Sequence, residues 1–115
     1  MKIAITSVGK SISSKISGVF SRCPYFIIFE IENGKAVKIA TIENLLSDQQ
    51  GHTGINVAQS MVEKGINAVI TGNIGPRALD VLKQFNIDVY LGNGIVKEVL
   101  QKFMKGKLEK IGMRE

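Results

Sequence analysis

Tyr25-Phe26-Ile27-Ile28-Phe29-Glu30-Ile31-Glu32-Asn33-Gly34-Lys35-Ala36-Val37-Lys38-Ile39-Ala40-Thr41-Ile42-Glu43 is the stretch that decides the fold. An aromatic and β-branched run and an alternating run flank Asn-Gly, the pair that suits a type I′ turn because both central residues take positive φ. The two runs predict an antiparallel hairpin. Upstream, residues 2–6 alternate into Ser7-Val8-Gly9 and predict a first strand, and the serine-rich stretch 11–18 reads as an irregular loop. Downstream the period changes to that of helices. Ile55, Ala58, Met61 and Val62 share one helical stripe, with Thr53 as its cap and Gly65 as its stop. Residues 66–71 form a short apolar strand, and Pro76 then opens a helix with Ala78, Leu79, Leu82 and Phe85 on its apolar face. A strand over 87–91 and a last helix carrying Ile95, Val99, Leu100, Phe103 and Met104 complete the pattern. The order is βββαβαβα, an α/β fold with a mixed five-stranded sheet and helices on its faces. Residues 1–112 read as a single domain and 113–115 as a tail.

Composition narrows the class. The chain has 115 residues, 44% hydrophobic and 22% charged, which suits one globular domain with its own core. No apolar run approaches the roughly 20 residues of a membrane span, and the N-terminus lacks a signal-peptide core. The single cysteine cannot form an internal disulfide, so the expected setting is the reducing cytoplasm. One His and one Cys cannot complete a zinc site within one chain. The net charge is +5, and from Lys97 onward the chain has six cations (Lys97, Lys102, Lys105, Lys107, Lys110, Arg114) against three carboxylates (Glu98, Glu109, Glu115), giving +3. That flank is first read as a solvated helix face with a frayed tail, and as the second reading a site for an anionic ligand or partner. Neither nucleic acid nor a membrane is expected as a partner.

Topology then locates a site. The first, third, fourth and fifth strands run the same way, so the segments 7–9, 20–24, 44–54, 72–75 and 92–94 converge on one edge of the sheet. Open α/β sheets bind ligands at such an edge, where strand order reverses. Eight of the twelve glycines (Gly9, Gly18, Gly51, Gly54, Gly72, Gly75, Gly92 and Gly94) fall there or in its approach, although glycines also turn corners. Acid–base groups are few: Glu43, Asp48 and His52. No nucleophile elbow, Walker sequence or dinucleotide fingerprint is present. The element order is similar to that of ribonuclease-H-like folds, but the first strand offers Ile3-Ala4-Ile5-Thr6 where nucleases carry metal-holding carboxylates. What remains is Cys23, with Arg22 beside it to favour a thiolate, and His52 between glycines at the start of a helix. Thiolate and imidazole suit iron or an iron–sulfur cluster better than magnesium. Each residue also has an ordinary role, the cysteine as a small buried hydrophobe and the histidine as polar surface.

Three motifs in order, Phe20-Ser21-Arg22-Cys23-Pro24-Tyr25-Phe26, Gly51-His52-Thr53-Gly54 and Gly72-Asn73-Ile74-Gly75-Pro76-Arg77-Ala78, with a closing Gly106-Lys107-Leu108-Glu109, resemble the dinitrogenase iron–molybdenum cofactor biosynthesis family of NifX/NifB-type small domains. The family usually has glycine where this chain has Ser21. The resemblance implies a ribonuclease H-like fold and non-catalytic binding or carriage of an iron–sulfur cluster or iron–molybdenum cofactor precursor. A cluster donor or acceptor protein would be the partner, and the chain a monomer or weak dimer. The expected ligands are His52 first and Cys23 second, with their side chains within about 15 Å of each other. Arg22, Gly51, Gly54, Gly72, Asn73 and Gly75 would supply charge complementarity and backbone N–H groups. One chain offers too few ligands to enclose a four-iron cluster, so a preassembled cluster keeps its own ligands or two chains share it. The alternative is a binding module for a small organic anion or nucleotide at the same edge. A hydrolase is the least favoured reading.

Overall fold

The structure, a computed structural model, describes residues 1–45 and 53–112. The elements in chain order are β1 (Lys2–Ser7), a 3-10 turn (Phe20–Arg22), β2 (Tyr25–Glu32), β3 (Lys35–Glu43), α1 (Thr53–Glu63), β4 (Ala68–Thr71), α2 (Pro76–Gln84), β5 (Asp88–Leu91), α3 (Val96–Met104) and β6 (Glu109–Ile111). The sheet has six strands in the order β3-β2-β1-β4-β5-β6. β1 pairs antiparallel with β2 and parallel with β4, and β4 pairs parallel with β5.

The hairpin forms as its sequence demands. Asn33 and Gly34 take φ of 52° and 76°, and Glu32 sits opposite Lys35. The register slips once, between Ile28 and Phe29, where Ala40 and Lys38 are the partners and Ile39 is left over as a bulge. β3 is an outer strand with Val37 and Ile39 exposed. Its lysines, Lys35 and Lys38, and its bulge are devices that discourage another chain from pairing along an open edge.

Two hydrophobic layers sandwich the sheet. On one face Ala4, Phe26, Ile28, Val69 and Val89 pack with Val57, Ala58 and Met61 of α1 and with Ala78 and Leu82 of α2. On the other, Ile3, Ile5, Ile27, Phe29, Ala68 and Ile70 pack with Val96, Val99 and Leu100 of α3. β1 is therefore buried on both faces, which explains its run of apolar residues.

Three expectations need correction. The sheet has a sixth strand: Glu109–Ile111 pairs antiparallel with β5, with Leu91 opposite Glu109 and Val89 opposite Ile111. Three residues between Gly106 and Gly112 are too few to show a period of two. Phe85 and Met104 are exposed, not core, because each sits at a helix end where the apolar stripe has rotated past the sheet. Val96, absent from the expected face, is fully buried. The 11–18 loop is irregular as read, yet two isolated bridges, Ser7 to Ile16 and Lys15 to Ile95, fasten it to the sheet and to the approach to α3. The expected 113–115 tail lies outside the described residues.

If the lysines protect the β3 edge, the double variant Lys35→Val/Lys38→Val retains the wild-type circular dichroism but sediments as larger, concentration-dependent species. Analytical ultracentrifugation of the two proteins at equal concentrations makes the comparison.

Candidate functional site

The register aligns Ser7, Tyr25 and Glu43 across β1, β2 and β3, and Thr71 with Leu91 across β4 and β5. The segments 7–9, 20–24, 72–75 and 92–94 therefore do leave one edge of the sheet. Buried hydroxyls organise its centre. The Thr6 hydroxyl is shared between Thr71 Oγ1 at 3.1 Å and the Ser17 carbonyl at 3.2 Å. Thr71 Oγ1 donates in turn to the Asn73 carbonyl at 3.1 Å. Ser17 N–H donates to Thr6 O, Gly72 N–H to Ser17 O, and Phe20 N–H to Asn73 O. These bonds lash the 17–20 segment onto the turn after β4.

That lashing changes the role expected of the glycine turn. A Cβ on Gly72 would lie 2.9 Å from Gly18 Cα and 3.0 Å from the Ser17 carbonyl oxygen, so Gly72 permits backbone to meet backbone. Its N–H is engaged by Ser17, and the Ile74 N–H by Asn73 Oδ1 at 2.8 Å. Asn73 closes its own turn. Gly75 differs: it is exposed, among the described residues nothing lies within 4 Å of where its Cβ would be and no side chain bonds at its cap of α2, and Pro76 takes the first helical position. The start of α3, by contrast, is closed by the serine loop, where Val96 and Lys97 N–H donate to the carbonyls of Ser14 and Ile12.

The starts of α1 and α2 meet at one corner. A Cβ on Gly54 would lie 3.4 Å from Ala78 Cβ and 3.9 Å from Ser21 Cβ, so the first turns of both helices and the 3-10 turn are in contact. Arg22 ends that 3-10 turn and is exposed. Gly54, Gly75, Ser21 and Arg22 thus share one neighbourhood, while Gly72 and Asn73 support it from the sheet side. His52 and Gly51 lie outside the described residues, and so does the expected proximity of His52 to Cys23.

Cys23 sits in the apolar layer with Phe20 and Phe26, fully buried. Burial pushes its thiol up to about 12, the opposite of the thiolate expected from Arg22 beside it. Asn44, which sequence reasoning missed, holds the turn in place. Its Nδ2 donates to the carbonyls of Ser21 at 3.2 Å and Cys23 at 2.9 Å, and lies 3.9 Å from Cys23 Sγ. An Asn directly after a strand is a turn former, but nothing local says which turn it will clamp. Among the described residues no three His, Cys, Asp or Glu side chains form a metal-holding group.

The model of the dinitrogenase iron-molybdenum cofactor family matches residues 1–106. The chain belongs to that family. It is 38% identical over 112 residues to an uncharacterised protein of Methanocaldococcus jannaschii, covering 96% of this chain and 95% of that one. It is similar to the NMR structure of a Thermotoga protein described as a candidate NifB, with a TM-score of 0.81 and 37% identity, covering 99% of this chain and 96% of that one. A crystal structure from Methanocaldococcus jannaschii, described as a candidate dinitrogenase, aligns with a TM-score of 0.72 and 29% identity over 99% of this chain and 97% of that one. The family and these neighbours associate the chain with biosynthesis or binding of the iron–molybdenum cofactor. No helix among the described residues is long and apolar enough to cross a membrane.

Two outcomes follow from this geometry. Gly72→Ala should cost about 2 kcal/mol of unfolding free energy because its methyl meets fixed backbone, whereas Gly75→Ser should change stability by less than about 0.5 kcal/mol; urea denaturation compares them. The second concerns pH. The folded-state thiol of Cys23 is raised above its unfolded value of 9.0, so its contribution is complete below pH 9 and is lost as pH rises toward 12. Between those values wild type should lose up to about 1.4 kcal/mol per pH unit more than Cys23→Ala, by urea denaturation at pH 8 and pH 10.

Proposed function

We propose that the protein is a non-catalytic carrier that holds an anionic iron–sulfur or iron–molybdenum cofactor precursor at the corner where α1, α2 and the 3-10 turn meet. The observation that carries this reading is the family match together with two helix starts converging on a corner directly joined in sequence to His52. His52 precedes Thr53, the first residue of α1, and consecutive Cα atoms lie about 3.8 Å apart. Free N–H groups of a helix start and its positive dipole end favour a negatively charged cargo there.

The donor set limits how the cargo is held. A buried, protonated thiol and one histidine do not enclose a resident four-cysteine cluster. They fit a preassembled cluster that keeps its own ligands and gains one imidazole bond plus charge complementarity from Arg22. Cys23 joins only if its turn opens away from Asn44. Release to an acceptor protein then requires breaking few bonds, which suits a carrier. The strand order β3-β2-β1-β4-β5, antiparallel then parallel, supports a ribonuclease-H-like scaffold, with β6 added outside it. Where such a scaffold needs carboxylates for catalysis, β1 has apolar residues and Thr6, which supports a non-enzymatic role. A monomer or weak dimer in the cytoplasm, binding neither nucleic acid nor membrane, fits this reading.

Imidazole ligates only when neutral, so cluster retention should fall as pH drops below about 6.5. His52→Ala should lose most of the bound iron after anaerobic desalting at pH 7.5, while Cys23→Ser loses less; iron analysis and visible absorbance read both. Full retention by His52→Ala would replace this account with the organic anion or nucleotide module, which the start of α2, without a side-chain cap bond among the described residues, also suits.

A further inference from the structure

All three helices end alike. In each, a left-handed residue follows the helix, its N–H bonds to the carbonyl three residues back, and the next N–H bonds one carbonyl further back, the Schellman arrangement. At α1, Gly65 has φ 70°, Gly65 N–H donates to Val62 O and Ile66 N–H to Met61 O. At α2, Asn86 has φ 60°, and the bonds run from Asn86 to Lys83 and from Ile87 to Leu82. At α3, Gly106 has φ 71°, and the bonds run from Gly106 to Phe103 and from Lys107 to Lys102 at 2.9 Å.

This motif sets two side chains together, and they are ordinarily apolar. Met61 with Ile66, and Leu82 with Ile87, obey the rule, all four buried in one core layer. At α3 the same two positions are Lys102 and Lys107. Like charges at a place built for an apolar contact are unfavourable unless something answers them. Lysines near a helix's carbonyl end gain from the dipole, but that gain does not require them to be adjacent. Neither forms an ion pair among the described residues.

Both lysines are exposed and line an open recess of about 370 Å³, together with Gly72, Leu91, Gly92, Asn93, Leu108 and Glu109. It opens beside the carboxyl ends of β4 and β5, at the ligand-binding edge of the sheet. Two ammonium groups against one carboxylate leave it positive, and Asn93 adds an amide. We propose that this recess is an anion site, distinct from the corner at α1 and α2, that takes a doubly charged oxyanion of the phosphate type between Lys102 and Lys107. Neither His52 nor a metal cluster has any part in it.

The probe is inorganic phosphate, titrated into ¹⁵N-labelled protein at constant ionic strength held with sodium chloride. The backbone amides of Gly72, Gly92, Asn93 and Lys107 should shift saturably, and those of Gly54 and Ala78 should not. Lys102→Met and Lys107→Met should each weaken binding by about tenfold. The double variant should abolish saturation while its melting temperature holds or rises, because it restores the apolar pair the motif favours. His52→Ala should titrate as wild type, so this site is judged independently of the carrier reading. Shifts that do not saturate, saturable shifts centred on Gly54 and Ala78, or unchanged binding by the double variant would each overturn the proposal.

Discussion

The site edge depends on one buried polar node, the hydroxyl of Thr6 shared between Thr71 and the carbonyl of Ser17. β1 is apolar from Ile3 to Ile5 and buried on both faces, so its first buried polar side chain, Thr6, must be satisfied internally. It is satisfied by the neighbouring parallel strand and by the loop that returns over it. Once Ser17 is fixed, Gly72 N–H is engaged and the Asn73 carbonyl receives Phe20 N–H. The 3-10 turn is thereby set against the starts of α1 and α2. A break in that chain of bonds would leave the sheet intact and the corner without a frame.

The node divides the edge into parts with different chemistry. The serine loop closes the start of α3 with two backbone carbonyls. Among the described residues the start of α2 has no such cover, and Gly54 draws the start of α1 alongside it. The glycines of this edge thus act in two ways: Gly72 lets backbone segments pack, while Gly75 has no neighbour within 4 Å of its Cβ position among the described residues. Beyond β5 the α3 cap and β6 build a separate, positively charged recess. The proposed carrier corner and the proposed anion site would both take anionic ligands, by dipoles and backbone at one and by ammonium groups at the other.

Much of this was legible in the sequence because the signals are local. Asn33-Gly34 specifies its own turn, Pro76 specifies a helix start, and alternation specifies β3. The convergence of loops on one edge followed from strand directions alone. What was not legible depends on partners distant in sequence. Cys23 is governed by Asn44, twenty-one residues away, and by the apolar layer it enters, so the neighbouring Arg22 misled. The hydroxyl node joins residues sixty-five apart. β6 is too short to carry a period, and Phe85 and Met104 failed as core because a stripe drawn from spacing does not say where a helix leaves its sheet. The lysine pair at α3 shows only when the cap geometry makes Lys102 and Lys107 neighbours. Family membership was legible from motifs that span most of the chain.

The central claim is that cargo binds at the corner of α1, α2 and the 3-10 turn. Anaerobic reconstitution with iron and sulfide, followed by mapping of paramagnetic broadening over the assigned backbone amides, tests it most directly. The account predicts broadening centred on Ser21, Gly54, Arg77 and Ala78, with Gly34 and Gly65 at the far edge unaffected. Broadening centred on Gly34 and Gly65, or on Gly92 and Lys107, would contradict it.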